Sequence, residues 1–240
     1  MQKKYLIIYH DLVKKIQTNV WPTSTMLPSE NELRSMYNTS RETIRKSLNL
    51  LAQNGYIQKV RGKGSVVIGI NKLDFPVSGI VSFRELANQL ELHAKTYVIA
   101  LNHSYPDLMV REKLSIPSKQ KVWEVVRTRE IADEKVILDK DYFNDAWVPT
   151  LTKDICEDSI YSYLENDCNL SISFAHKEIV VEEPTKEDQE LLDLEGFSNV
   201  VVIRSSVYLE DATLFQYTES RHRPDKFRFV DFARRIKGEN

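Results

Sequence analysis

The sequence predicts an α+β protein in two parts, a winged helix-turn-helix domain over residues 1–70 and an antiparallel-sheet domain over 77–240, joined by a linker over 71–76. Three observations predict it. Two helix-start signals follow each other closely before residue 45, and four of the seven glycines, Gly55, Gly62, Gly64 and Gly69, cluster just behind them. From Leu73 onward strand-like runs outnumber helical ones and succeed each other with few crossover helices.

Charge divides the chain at the same place. Residues 1–70 hold 11 basic and 4 acidic side chains, net +7, and residues 71–240 hold 22 and 31, net −9. A basic head on an acidic body implies that the head meets a polyanion. At 240 residues and 42% apolar content the chain can bury full cores without disulfide or metal staples. Apolar runs such as Tyr97 to Leu101 reach about five residues, too short for a transmembrane helix or a secretory signal, so no membrane partner is expected. Cys156 and Cys168 form no CxxC and the five histidines no HExxH. The expectation is a cytoplasmic protein with reduced thiols and neither metal nor cofactor.

Leu6, Tyr9, Leu12, Val13 and Ile16 recur at helical spacing among Lys4, Asp11, Lys14 and Lys15, so the chain opens with an amphipathic helix that stops near Asn19 to Pro22. Ser29 and Glu32 then form a capping box that opens a second helix, with Leu33 and Met36 facing inward. Tyr37 and Asn38 separate it from a second box, Thr39-Ser40-Arg41-Glu42, and a third helix with Ile44, Leu48 and Leu51 on one face and Asn54-Gly55 as its stop. Two capped helices joined by so short a turn are a helix-turn-helix.

The third helix carries Ser40, Arg41, Thr43 and Arg45 in its first two turns, away from Ile44 and Leu48. That end of a recognition helix enters the major groove, which makes Arg41 the candidate for a guanine edge and Arg45 or Lys46 for phosphate. Tyr56–Val60 and Ser65–Ile68 read as strands around Arg61-Gly62-Lys63-Gly64. The cations of such a wing reach a minor groove or its phosphates, and the glycines permit close approach. The loop fits neither GxxxxGK(S/T) nor GxGxxG opening a helix, which argues against nucleotide binding.

The run Leu27-Pro28-Ser29-Glu30, Leu33, Ser40-Arg41-Glu42-Thr43-Ile44-Arg45, Leu48, Leu51, Gly55-Tyr56-Ile57 and Arg61-Gly62-Lys63-Gly64-Ser65 resembles the DNA-binding signature of the GntR-type bacterial transcription regulators. The resemblance implies a homodimer on a short palindromic operator in double-stranded DNA, with an effector domain behind the linker. It adds Ser29 and Glu42 to the DNA-binding candidates Ser40, Arg41, Thr43, Arg45, Lys46, Arg61, Gly62, Lys63 and Gly64. Asn31 departs from it, standing where many members carry arginine.

The body reads as strands at 95–102, 122–132, 136–143, 171–182, 199–210, 214–221 and 227–232, with helices at 82–91, 107–114, 159–166 and 185–194. Along Trp123 to Ile131, Trp123, Val125, Arg127, Arg129 and Ile131 share one face. Two arginines on an otherwise apolar face are costly to bury unpaired, and they either hold a phosphate or carboxylate by bidentate hydrogen bonds or pair structurally with Glu219 or Asp139. Gln216, Thr218, Ser220 and His222 alternate with Phe215, Tyr217, Glu219 and Arg221, polar groups enough for a sugar-like ligand. Without GxSxG or a recognisable histidine motif, binding is favoured over catalysis.

This body is similar to the effector domain of the HutC branch of GntR regulators, the UTRA type, whose fold resembles chorismate lyase but serves as a sensor. The resemblance assigns an anion to Arg127 and Arg129, helper contacts to Ser82, Ser159 and Tyr161, and sugar hydroxyls to Asp139; Phe83, Gln216, Glu219 and His222 complete the expected effector-binding set. Gln216 stands where several sugar-phosphate sensors carry glutamate, and His222 where they carry tyrosine. Leu50–Lys59, Phe75–Gly79, Ile137–Phe143 and Leu214–Arg223 extend the similarity to the members that repress trehalose genes, which implies trehalose 6-phosphate as effector. A regulator answering another sugar phosphate or small anion is the alternative, as is an enzyme of lyase-like fold with a DNA module.

Overall fold

A computed structural model describes residues 3–60, 62–68, 80–89 and 93–229. The chain divides into two compact units, one within residues 1–74 and the other within 75–229. Arg61, the expected linker 71–76 and residues 230–240 lie outside the described residues.

In the first unit α1 (Lys4–Gln17), α2 (Glu30–Met36) and α3 (Arg41–Gln53) precede an antiparallel hairpin of β1 (Ile57–Val60) and β2 (Gly64–Val67). Ile8, Leu12 and Ile16 of α1, Leu33 of α2, and Ile44, Leu48 and Leu51 of α3 close one core with Ile57 and Val67. The α1 stripe is centred on Ile8, with Leu6 only half-buried. Met36 turns outward and is exposed, contrary to expectation, because one short helix has room for a single inward position, taken by Leu33. Ser29 caps α2 as the sequence predicts: its Oγ accepts from Glu32 N–H, and Glu32 Oε2 accepts from Ser29 N–H. The second box is displaced. Ser40, not Thr39, sits in extended conformation at the start of α3 and accepts from Thr43 N–H, which leaves Glu42 to face Arg45.

The hairpin is widened by Ser24 to Leu27, which hydrogen-bond to Ser65 and Val67, with Met26 bridging Val66. Gly64 is needed there. Its φ is +111°, and a Cβ would stand 2.9 Å from Met26 Cε.

The second unit is one six-stranded antiparallel sheet of order β3-β4-β5-β8-β7-β6, from β3 (Ala94–Ser104), β4 (Val122–Ile131), β5 (Glu134–Asn144), β6 (Ile172–Glu182), β7 (Val200–Leu209) and β8 (Leu214–His222). Two three-stranded meanders meet where β5 pairs β8. One face carries α6 (Lys153–Glu157) and α7 (Ile160–Asn166), whose Cys156, Ile160 and Leu164 pack with Val125, Phe143 and Val207. On the other face Val110 and Leu114 of α5 (Leu108–Leu114) meet Val122 and Tyr217, and Leu192, just beyond α8 (Lys186–Leu191), meets Val126 and Leu138. The remaining helix, α4 (Phe83–Gln89), starts at Ser82, whose backbone N–H and hydroxyl both engage Glu85.

The five-residue α6 is not among the helices expected from the sequence, being shorter than two helical turns, although Thr152 marks its start by accepting from Ile155 N–H. The strand expected over 227–232 does not form in its described part. Phe227 follows the short 3-10 turn Pro224–Lys226, and Phe229 makes only an isolated bridge.

Candidate functional site

The N-terminal part of α3 displays its polar side chains outward. Arg41 Nε reaches Glu30 Oε2 at 3.0 Å with its side chain 70% exposed, and Arg45 lies 3.8 Å from Glu42. Such solvent-facing pairs hold a side chain weakly, so both guanidinium groups can exchange their carboxylates for DNA. Lys46 is exposed on the same helix. Ser40 Oγ is 2.8 Å from Thr43 Oγ1, and Ser29 caps α2, so these hydroxyls fix the helix starts before they offer anything to a phosphate. Gly62, Lys63 and Gly64 form the tip of the hairpin. Arg61 lies outside the described residues.

In the second unit a cavity of about 200 Å³ opens on the sheet face beneath α4 and the start of α7. Its lining includes Ser82, Phe83, Arg127, Arg129, Asp139, Ser159, Tyr161, Gln216 and His222, all singled out from the sequence. The alternation of β4, β5 and β8 puts them there, since Arg127 pairs with Asp139 and Asp139 with Ser220 across neighbouring strands.

Two chains of hydrogen bonds organise the floor. In the first, Tyr161 O–H donates to Gln216 Oε1 at 2.8 Å, Gln216 Nε2 to Asp141 Oδ1 at 2.8 Å, and Arg127 Nη2 to Asp141 Oδ2 at 2.5 Å. Arg127 Nη1 also donates to the Cys156 carbonyl at 3.0 Å, tying the floor to α6, while its buried Nε has no partner among the described residues. In the second, Arg129 Nε donates to Asp139 Oδ2 at 2.8 Å and Nη1 to Thr96 Oγ1 at 2.6 Å, and Ser220 O–H donates to Asp139 Oδ1 at 2.5 Å. The Phe83 ring covers the Arg129 guanidinium at 4.7 Å.

Both arginines thus meet carboxylates inside the protein. The expected pairing with Asp139 is present, and Asp141, which sequence reasoning missed, is the partner of Arg127. Burial works against the charge of Arg127, but Asp141 and Asp139 outweigh it and hold its pKa above the ordinary value. Burial, together with the charge of Arg127, draws Arg129 down to about 10 in spite of Asp139. Burial disfavours the Asp139 carboxylate, yet Arg129 and Arg127 prevail and keep it below its usual range. Burial pushes His222 down to about 4, opposed by Asp139, so its ring is neutral at physiological pH.

Ser220, His222 and Asp139 come together without forming a hydrolytic triad. Ser220 Oγ stands between Asp139 and His222 Nε2, 2.9 Å away, whereas a triad needs the imidazole between serine and carboxylate. Glu219 is not in the cavity. One residue out of step with Thr218 and Ser220, it faces the other side of the sheet and binds Arg204 and Arg221. The cavity also gains Lys177, Ser205 and Thr218, of which the first two come from strands whose place in the sheet no local pattern reveals.

Residues 4–67 match the family model described as bacterial regulatory proteins, gntR family, and residues 87–228 match the UTRA domain. The HTH-type transcriptional regulator TreR of Bacillus subtilis is 56% identical over 234 residues, covering 98% of each chain. The chain belongs to the GntR family, with a UTRA domain as its second unit. A further relative, the HTH-type transcriptional regulator GmuR of the same organism, is 30% identical over 228 residues, covering 93% of this chain and 95% of its own. Among solved structures, the regulator YydK of B. subtilis superposes with a TM-score of 0.81 at 26% identity, covering 97% of this chain and all of that one. The effector binding domain of the B. subtilis trehalose repressor covers 60% of this chain and 99% of its own, at 57% identity and a TM-score of 0.56. In this GntR chain no helix of the described residues is long and apolar enough to cross a membrane, and these residues hold no cluster able to bind a metal ion.

Proposed function

We propose that this GntR regulator is a homodimeric, cytoplasmic repressor that binds an operator of trehalose uptake and utilisation genes and is released from it by trehalose 6-phosphate. One observation carries the reading: two buried arginines, Arg127 and Arg129, lie side by side on the floor of a cavity among Ser82, Ser159, Tyr161, Ser220 and Gln216. A phosphate suits the two guanidinium forks and hydroxyl-rich rings suit the rest. The 56% identity to TreR and the likeness to the effector binding domain of a trehalose repressor support trehalose as the sugar concerned.

The arginines are already held by Asp139 and Asp141, so an arriving phosphate exchanges partners with them. The released carboxylates then accept hydrogen bonds from sugar hydroxyls, and Tyr161 and the Cys156 carbonyl, linked to the same chain, carry the rearrangement into α6 and α7. Two dimer-related recognition helices fit half-sites about one helical turn, roughly 34–36 Å, apart. Coupling on the order of 1–3 kcal/mol to a conformation with the wrong spacing weakens operator binding about 5- to 150-fold.

Replacing both arginines by alanine would leave Asp139 and Asp141 buried without counter-charge and cost on the order of 3–5 kcal/mol of stability. Arg127→Lys with Arg129→Lys keeps the charge and removes the forks. The variant is expected to bind operator normally while trehalose 6-phosphate, in a gel-shift titration, releases it only at ten-fold or higher concentration. Unchanged release rules the site out.

A further inference from the structure

Arg41, Arg45 and Asn49 follow one another at four-residue spacing on α3 and are all exposed, so they form one strip along the helix. At the end of the strip Lys59 of β1 donates from Nζ to Asn49 Oδ1 at 2.6 Å, which brings a lysine of the hairpin onto the outer face of α3. Lys59 is half-buried, and burial draws its pKa below the ordinary value, with Glu30 opposing the shift and Arg45 adding to it. Its ammonium therefore lies within electrostatic reach of both groups. Glu30, at the start of α2, stands between two cations: it accepts from Arg41 Nε at 3.0 Å and attracts Lys59. A carboxylate is thus already accommodated at the junction of α2, α3 and the hairpin.

A contact that only fastened the hairpin to α3 would need no charge, since a neutral side chain could bridge to Asn49 without setting an ammonium beside Arg45. The charge has a use when an anion arrives. From Arg41 to Asn49 the strip rises about 12 Å, at 1.5 Å per residue. A helix that enters the major groove by its N-terminal end puts Arg41 at the base edges. The groove is about 12 Å wide, so a group that far back along the strip meets the phosphates at its border. We propose that Lys59, held in place by Asn49, binds a phosphate of the DNA backbone together with Arg45, and so sets the affinity for DNA without reading its sequence. An ammonium has three donors; Asn49 takes one and leaves two for phosphate oxygens. The inference rests on the reading of α3 as the helix that enters the groove.

Fluorescence-anisotropy titration of the full-length protein into labelled DNA from upstream of its own gene and into a scrambled duplex, over a series of salt concentrations, tests it. Each phosphate neutralised contributes about 0.9 to the slope of log K against log salt. Lys59→Met is expected to weaken binding to both duplexes by the same factor, about ten-fold, and to lower the slope by about 0.9. Lys59→Arg keeps the charge and should keep the slope. Asn49→Ala alters no charge, yet by releasing the ammonium it should weaken both duplexes about three-fold, which a change in net charge alone would not do. An unchanged slope in Lys59→Met, a loss confined to the upstream duplex, or unaltered binding in Asn49→Ala overturns the proposal. Arg41→Gln tests the underlying reading separately. It should remove most of the preference for the upstream duplex; a preference that survives contradicts the placement of α3, while the salt slope still decides the role of Lys59.

Discussion

Arg127 and Arg129 on one face, with Gln216, Ser220 and His222 on another strand to meet them, follow from the period-two alternation of strands and are legible in the residue pattern itself. So is the exclusion of Glu219 from the cavity: its parity separates it from Gln216 and Ser220. Asp141 is legible in the same way, two residues from Asp139, yet the family likeness points to one carboxylate alone. Lys177 and Ser205 are not legible, because no local pattern tells that β6 and β7 follow β8 across the sheet. At this scale His222 gives a pH dependence. Its pKa falls from 6.5 in the unfolded chain to about 4 in the folded one because burial disfavours the imidazolium. Below pH 6.5 the unfolded state takes up a proton that the folded state refuses, so stability is full above that value and declines as pH falls towards 4, by about 3 kcal/mol. The denaturant midpoint of the second unit should drop over that window in the unaltered protein, and the drop should be smaller in His222→Gln. Equal pH profiles would show that His222 is not held neutral.

Among elements, the capped helices of the first unit are legible because capping is local chemistry, and the capping box of α2 forms as predicted. The start of α3 lies one residue beyond the expected cap because Thr39 and Ser40 are both good caps, and the sequence does not say which backbone is extended there. Ser40 takes the role, with φ −75° and ψ 154°. Ser40→Ala should therefore cost about 1 kcal/mol and speed amide hydrogen exchange in the first turns of α3 about five-fold, whereas Thr39→Ala should leave it unchanged. The reverse pattern would move the cap back to Thr39. In the second unit the long strands carry enough alternation to be found, while α6, at five residues, does not. That short helix matters out of proportion to its length, since it offers the Cys156 carbonyl to Arg127 and so links the cavity floor to the layer above it.

For the whole molecule, the division into a basic head and an acidic body is visible as net charges of +7 and −9 about residue 70. That asymmetry directs a polyanion to the first unit and repels it from the second. If the N-terminal end of α3 reads bases as proposed, it adds to the electrostatic attraction, and specific binding should exceed non-specific binding by about 10³-fold or more. The most direct measurement is a titration of the purified protein into labelled DNA from upstream of its own gene and into a scrambled duplex, at two salt concentrations, with and without trehalose 6-phosphate. A sequence-specific repressor binds the upstream duplex far more tightly, loses affinity on both as salt rises, and leaves the upstream duplex when the sugar phosphate is added. Equal affinity for the two duplexes, or specific binding that the sugar phosphate does not weaken, would contradict it.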